Sequence, residues 1–460
     1  MDLMSNSDTS PHISSVHTPT EVKKLLAIAL PIMGAQIAQS GMSVADTLMV
    51  GRLGADALAA VALGTSIWMP LFLLLAGVLL GLTPFIAQWN GAKDVSKIGP
   101  FAFQGFWLGL ALACFSILIM LIHPWILDLM QVPMHLYDSV SDYLLGIMLG
   151  FPAIGLYQTM RSFTEGLGFT KPVLLISLAS LVVNIIANAT LIFGFGPIPE
   201  LGVLGCGLAT AIAMWSSVLF MWLYIKKQPR YQACNLLEHP ALPDTQAIKE
   251  IARVGLPIGV AIFFEVGLFT TIALFIAHLG STDVAAHQIA LNVTSVTFMI
   301  PLSLAMALTV RVGQGIGGQG QQAAHRISLI GIFCTVIACT FTASIMFFLP
   351  EPIARLYTQD SDVIALAVSL LHLAAIFQLS DAIQVSASGA MRGYKDTKII
   401  MPITLFSYWV IGMGLGYVLG LTDWILPASG VSGFWHGLIA GLSCAAILLC
   451  WRLRIIWRRP

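Results

Sequence analysis

Long apolar stretches dominate this sequence, and each one can cross a lipid bilayer as a helix. A membrane-spanning helix needs about 20 predominantly apolar residues. Hydrophobic residues make up 57% of the chain and charged residues only 10%, too few to cover a surface that faces water. The sequence therefore predicts an all-α membrane protein with twelve spans, at 26–50, 57–82, 100–122, 139–160, 172–195, 202–225, 251–277, 284–310, 327–349, 363–386, 399–420 and 430–451.

The positions of the lysines and arginines give these helices an orientation. With the N-terminus inside, Arg52 and Arg355 fall outside, and every other Lys and Arg falls in an inner segment or at an inner helix end. Cytoplasmic segments of membrane proteins carry such an excess of basic residues. A wrong number of helices would mix the two groups, so the asymmetry supports twelve spans and predicts that both termini are cytoplasmic.

The two halves of the chain resemble each other at a nearly constant shift. Each half holds six spans, so both face the same way, which predicts two lobes related by a pseudo-twofold axis along the membrane normal. Bundles built from repeats bind substrate between the repeats and transport it by rocking. The repeat therefore predicts a transporter. The matches at a shift of 226 residues include Leu30-Pro31 with Leu256-Pro257, Gln88 with Gln314, and Gly91 with Gly317.

The same repeat divides the chain into five parts. We expect a disordered cytoplasmic tail at 1–22, an N-lobe of helices 1–6 at 23–226 and a cytoplasmic linker at 227–250. A C-lobe of helices 7–12 follows at 251–453, and a basic cytoplasmic tail at 454–460 ends the chain. Nothing in the sequence indicates a stable partner subunit, and we expect a monomer.

Apart from Asp142 at the start of the fourth span, three acidic residues lie within the predicted spans, namely Asp46, Glu265 and Asp381. A central Asp costs about 2.5–3.5 kcal/mol in a membrane helix, and no Lys or Arg lies deep in a predicted span to balance it. A buried carboxylate without a partner either binds a cation or takes up a proton, which is the chemistry of a coupling-ion site. Glu265 has few polar neighbours on its own helix and is the strongest candidate for holding a proton.

A structural interpretation of these acids stays open. An intramembrane carboxylate also serves as a hydrogen-bond partner between helices. Asp46 lies close to the end of its span, where it could simply be near water. The same two alternatives, pathway lining or helix packing, hold for the polar residues spaced along helix faces. The candidate cavity-lining residues are Gln36, Gln39, Asn184, Asn188, Gln288, Asn292, Gln378 and Gln384, with Phe298 as a candidate cation–π face.

Other functional classes fit the sequence less well. It contains no His-rich, Ser-His or HExxH arrangement, and its seven cysteines form no CxxC pair or Cys/His cluster. We therefore expect no enzyme, no cofactor, and no metal site beyond Na⁺ at Glu265 and Asp381. The net charge of +0 gives no reason for a nucleic-acid partner. A flippase for lipid-linked precursors is the main alternative, but its anionic cargo would call for Lys or Arg inside the spans.

Several motifs together resemble the NorM-type multidrug and toxin extrusion (MATE) transporters. The resemblance runs over essentially the whole chain from about Lys23. The first helix pair contributes 44–47, 51–54 and 58–64. The seventh and eighth helices contribute Leu256-Pro257-Ile258-Gly259, Phe264-Glu265, Ala285-Ala286-His287-Gln288 and Met299-Ile300-Pro301. The tenth helix contributes Gln378 and Asp381, followed by Met391-Arg392-Gly393-Tyr394-Lys395-Asp396-Thr397.

This resemblance implies a V-shaped pair of six-helix lobes in a bacterial inner membrane. It implies export of amphipathic organic cations, such as dyes and fluoroquinolone drugs, in exchange for inward Na⁺ or H⁺. It also implies ion-coupling roles for Glu265 and Asp381, and it places Asp46 in an N-lobe cavity near Asn184 and Asn188. Phe298 stands where some members carry a tyrosine near the cation site, so the ring is kept without the hydroxyl.

Overall fold

The computed structural model describes residues 18–236, 241–424 and 426–458, and helices account for most of them. Eleven helices in these ranges are long and apolar enough to cross a membrane, and a pair bent by 42° makes a twelfth span. The predicted twelve-span helical fold is confirmed. The spans are α1 Thr18–Val50, α2 Ala55–Leu79 continued by Thr83–Gly91, α3 Ile98–Leu121, α4 Met134–Met148 with Phe151–Gly166, α5 Lys171–Phe193, α6 Gly202–Lys227, α7 Thr245–Ile276, α8 Ser281–Gln319, α9 Gln321–Phe348, α10 Ser361–Gly393, α11 Ile400–Leu421 and α12 Val431–Trp457.

Local signals fix where several helices begin. The Oδ1 atoms of Asp244 and Asp360 accept backbone N–H groups at the starts of α7 and α10, at 2.8 and 2.9 Å. Such caps satisfy amides that have no partner within the helix. Gly54 and Gly280, which correspond in the repeat, precede α2 and α8 with φ of 120° and 137°. Glycine adopts this backbone conformation without strain, so both halves use the same turn.

The helices extend beyond the predicted boundaries at three places. Of the predicted N-terminal tail, residues 1–17 lie outside the described residues, and residues 18–22 already belong to α1. The segment between α6 and α7 is shorter than the predicted linker and covers 228–244. At the other end α12 continues to Trp457, and residues 459–460 of the predicted basic tail lie outside the described part.

Several arginines that the sequence pattern assigned to segments outside the spans lie inside helices, among them Arg161, Arg311 and Arg392. Arg161 is on α4, Arg311 on α8 and Arg392 in the last turn of α10. The Nε of Arg161 donates to Glu165 at 2.7 Å, and Nη2 of Arg311 donates to Glu21 at 2.5 Å. These arginines follow the predicted apolar spans, and they lie inside helices because a helix does not stop where its apolar run ends. The Arg161 and Arg311 charges are balanced by ion pairs.

Helices α1–α6 form one lobe and α7–α12 the other. The largest apolar core lies almost entirely among helices of the N-lobe, and a second core contains only C-lobe residues. A third cluster joins the beginning of α1 to α8, α10 and α12. The lobes contact each other through two equivalent helix pairs, α1 with α8 and α2 with α7, and through the second part of α2 against α8. This exchange of equivalent helices is what the predicted pseudo-twofold relation requires.

The closest contacts between the lobes lie toward the end that holds the linker. A Cβ added to Gly77 would lie 2.6 Å from Gly259 Cα, and one added to Gly81 would lie 2.6 Å from Gly255 Cα. The side-chain amide of Gln88 also donates across the interface to the Gly393 carbonyl, at 2.9 Å. Among the described residues, all hydrogen bonds between the helices of the two lobes fall at this end, which predicts a cleft opening toward the other end.

The linker lies against the N-lobe. The side chain of Gln104 on α3 donates to the Leu242 carbonyl at 3.1 Å and accepts the backbone N–H of Asp244 at 2.9 Å. Trp107 donates from its indole N–H to the Ala241 carbonyl at 3.0 Å. Tyr231 is buried against Phe163 and Phe169 of the N-lobe. The start of α7 is therefore fastened to the other lobe.

Candidate functional site

The N-lobe contains one acidic centre, around Asp46 on α1. Asp46 is buried, and its Oδ1 accepts hydrogen bonds from the side-chain amides of Asn184 at 3.1 Å and Asn188 at 2.6 Å, both on α5. Its Oδ2 accepts from the Thr210 hydroxyl on α6, at 3.2 Å. The structure thus brings together the three residues that the family resemblance placed here. The carboxylate is satisfied by neutral donors, and the carbonyl oxygens of Asn184 and Asn188 are buried without a partner.

Two buried serines on the same helix face help to hold this centre. Ser177 and Ser180 continue the stripe of Asn184 and Asn188 by one turn at a time, and all four side chains are buried. The Ser180 hydroxyl lies 2.7 Å from the hydroxyl of Ser217 on α6. This part of the stripe joins two helices, whereas the asparagines face the acid.

The C-lobe contains the second acidic centre, formed by Glu265 on α7 and Asp381 on α10. Asp381 is only 2% exposed, and the two carboxylates are close enough for their charges to interact. In the described part of the chain neither forms an ion pair. Arg392 acts on Glu265 through its charge, but its nearest hydrogen-bond partner is the Ser388 hydroxyl, at 3.4 Å. Two acids that repel each other in a poorly solvated site favour uptake of a cation or proton.

Helix α11 packs beside α7 close to Glu265. Its middle section, Phe406–Met413, is π-helical, a wide turn that often occurs at functional sites. The indole N–H of Trp409 donates to the backbone carbonyl of Phe264 at 3.1 Å, which fixes α11 beside α7. Tyr408, the neighbouring residue, is buried and lies close enough to Glu265 for a loose hydrogen bond, although within the described part of the chain its hydroxyl has no partner of normal hydrogen-bond geometry.

Gln378 and Gln384 lie on α10 three residues before and after Asp381, and both are buried. The side-chain amide of Gln378 donates to the Thr342 hydroxyl on α9 at 2.7 Å. The carbonyl oxygens of both glutamines are buried without a partner. Buried oxygen atoms without a hydrogen-bond partner in the described part of the chain thus lie on the helix that carries Asp381, and oxygen is the ligand type that hard cations prefer.

The remaining candidates are not joined to the acids by hydrogen bonds. Gln36 and Gln39 are partly buried on α1, and the side-chain oxygen of Gln36 has no partner. On α8 Gln288 and Asn292 are exposed, and the Asn292 amide bonds back to the Gln288 carbonyl at 2.9 Å. Phe298 is partly exposed. These residues lie on helix faces, and their part in a pathway stays a prediction.

The sequence pattern missed three residues of these centres. Thr210 stands alone on an apolar helix, so no periodicity marks it. Tyr408 lies on the π-helical section, where the spacing of an ordinary helix no longer identifies a common face. Arg392 was assigned to a segment outside the membrane, although it follows Asp381 by eleven residues on the same helix.

Two lobes of six membrane helices, each with its own acidic centre, define a polytopic transporter fold. The MatE family model matches residues 31–190 and 257–418, one segment in each half. The chain belongs to the MatE family, as the resemblance implied. A NorM-type relative, the probable multidrug resistance protein NorM of Shewanella oneidensis, is 42% identical over 440 residues, which cover 96% of each chain.

Other relatives are similar over comparable lengths. The multidrug resistance protein PmpM of Pseudomonas aeruginosa is 44% identical, over 99% of this chain and 95% of its own. Among solved structures, the eukaryotic MATE transporter AtDTX14 superposes with a TM-score of 0.84 at 22% identity, over 95% of this chain and 96% of its own. A multidrug resistance MATE family transporter in an outward-facing conformation gives the same score at 22% identity, over 95% of this chain and 96% of its own. These structures support the fold.

Proposed function

We propose that this protein is a secondary active multidrug efflux transporter of the bacterial inner membrane, with both termini cytoplasmic. It exports amphipathic organic cations, including drugs and dyes, in exchange for inward Na⁺ or H⁺ by alternating access. The relatives named for multidrug resistance support this substrate class. The observation that carries the proposal is the pair Glu265 and Asp381, a partly buried and a buried acid whose charges interact and which form no ion pair among the described residues.

The charges of the C-lobe centre suit a monovalent ion. With both carboxylates ionised and the Arg392 charge nearby, the centre carries one net negative charge. One Na⁺ or one proton neutralises it. In the inward-facing state the ionised acids favour an organic cation between the lobes. After the lobes open outward, the entering ion removes that attraction and the drug leaves.

Membrane energetics limit how such an exchange is driven. Moving one elementary charge across the membrane is worth about 2.3 kcal/mol per 100 mV. One entering monovalent ion therefore only cancels the electrical cost of expelling one monovalent drug. Net export then depends on the ion's concentration gradient or on a second ion, and Asp46 in the N-lobe is the candidate for binding it.

Dye efflux from proteoliposomes, with Na⁺ and pH gradients imposed separately, tests the proposal. We expect Glu265→Gln and Asp381→Asn to abolish gradient-driven ethidium efflux, because both keep the side-chain shape and remove the charge. Glu250→Gln and Asp362→Asn are matched controls, since these acids lie near the starts of the same two helices, α7 and α10. Normal efflux by both acid-centre variants would overturn the carboxylate mechanism.

The lipid-linked precursor flippase is less favoured. Two of the arginines inside helices are paired with acids, so they offer an anionic cargo little free positive charge. Drug susceptibility of a hypersensitive host expressing the chain separates the two functions, because a flippase would leave susceptibility unchanged.

A further inference from the structure

Tyr408 is a buried tyrosine whose hydroxyl is only loosely bonded. It is 1% exposed, and among the described residues its hydroxyl forms no hydrogen bond of normal geometry and has only a loose one, to Glu265. Burying a hydroxyl without a partner is unfavourable, and most buried polar groups find one. A buried hydroxyl in this state is suited to a ligand that binds and dissociates.

The surroundings of Tyr408 indicate what that partner is. The hydrogen bond from Trp409 to the Phe264 carbonyl fixes the neighbouring residue of α11 against the residue before Glu265. The phenol of Tyr408 interacts electrostatically with both Glu265 and Asp381. The hydroxyl is therefore directed into the acidic centre, and the π-helical section of α11 positions it there.

We propose that the Tyr408 hydroxyl is a third ligand of the C-lobe centre and directly contacts the ion that Glu265 and Asp381 take up. This inference rests on the exchange proposed above and assigns a residue to it that lies on a third helix. A phenol suits either ion. Its oxygen can coordinate Na⁺ while its O–H donates to a carboxylate, and the same oxygen can accept from a protonated carboxyl group.

Ion binding by the purified full-length protein tests the inference through the variant Tyr408→Phe. Tyr417→Phe is the matched control, because Tyr417 lies on the same helix, is 42% exposed and contacts Phe275 with its ring. The thermal unfolding midpoint is measured in choline chloride at pH 8.5, then during titration with NaCl at that pH, and separately during acidification in choline chloride. A ligand that binds only the folded protein raises this midpoint.

We expect Tyr408→Phe to match or exceed the wild-type midpoint without a coupling ion, because the lost hydroxyl gives up only a loose hydrogen bond while its burial cost is removed. It should then need at least about tenfold more of the active ion for half of the stabilisation, the effect of losing a hydrogen bond to a charged group. The NaCl and acid titrations identify which ion is active. The control should follow the wild type in both.

Two results would overturn the role of Tyr408 alone. One is an unchanged ion requirement in Tyr408→Phe while the wild type responds. The other is a lowered midpoint without ions, which would show that the hydroxyl is structural. A wild-type protein that responds to neither ion and moves no dye would instead overturn the proposed exchange together with this inference.

Discussion

Gly91 and Gly317 form a reciprocal pair across the lobe interface. A side chain on Gly91 would collide with the Gln314 carbonyl, and one on Gly317 would collide with the Gln88 carbonyl. Gln88 and Gln314 correspond in the repeat, as the two glycines do, so the contact is repeated by the pseudo-twofold relation. Two copies of one close approach hold the linker ends of the lobes together.

Enlarging one of these glycines should open the linker end. We expect Gly91→Leu to shift the protein away from this conformation, because the new side chain has no space beside α8. The measurement is maleimide labelling of Ala87→Cys in a protein without its native cysteines, since Ala87 is buried beside Gly313 when the lobes meet. Labelling should rise severalfold. Gly51→Ala, at a position with open space around it, is the control, and equal labelling in both would contradict the prediction.

Removing the acidic charge should change the free energy of unfolding differently at the two centres. Asp46 accepts three hydrogen bonds, and we expect Asp46→Asn to lower the free energy of unfolding by about 1–3 kcal/mol, because an amide cannot accept from all three donors. Glu265→Gln gives up no hydrogen bond of normal geometry and should leave stability unchanged or raised. Denaturant unfolding in detergent checks both. A larger loss for Glu265→Gln would contradict the assignment.

The charge of Arg392 should weaken ion binding at the C-lobe centre. Removing it by Arg392→Gln leaves Glu265 and Asp381 without a nearby positive charge, so the centre should bind its coupling ion more tightly. Half-maximal dye efflux is then expected at a severalfold lower ion concentration, with slower turnover because the ion leaves less readily.

Two variants accompany this measurement. Arg392→Lys keeps the charge and should behave more like the wild type. Arg454→Gln removes an exposed charge and should have no effect. A raised ion requirement in Arg392→Gln would mean that the arginine assists binding.

The docked linker should protect Cys234. Burial raises the pKa of the Cys234 thiol to about 11. The reactive thiolate is therefore scarce at pH 7.5 and increases as the pH rises toward that value. With the other native cysteines replaced, we expect maleimide to label Cys234 roughly 100-fold more slowly than Gln246→Cys, an exposed position at the start of α7. Equal rates at pH 7.5 would show that the linker does not stay docked.

Much of the fold follows from the sequence because lipid imposes a length and a polarity on every span. The apolar runs and the internal repeat predicted twelve helices in two lobes. The family resemblance placed Asn184 and Asn188 beside Asp46, and the structure has them there. The third partner, Thr210, comes from a helix packed beside α5, and only tertiary structure shows which face of α6 meets it.

The C-lobe centre was harder to predict for two physical reasons. The π-helical turn in α11 changes the phase of the side chains, so ordinary helical spacing does not bring Tyr408 toward Glu265. The last turn of α10 continues past its apolar run, so a rule based on hydrophobic length placed Arg392 outside the helix. Both deviations occur beside the acids, where packing rather than periodicity decides the local geometry.

Because the linker is docked, α7 is attached to both lobes. The residues just before it, Ala241 and Asp244, are held to the N-lobe by the bonds of Trp107 and Gln104, while its far half belongs to the C-lobe core. Between these anchors Pro257 removes a backbone hydrogen bond, so bending concentrates there. Glu265 lies two turns beyond the bend. If the lobes rock against each other, we expect α7 to bend near Pro257 and the distance between Glu265 and Asp381 to change.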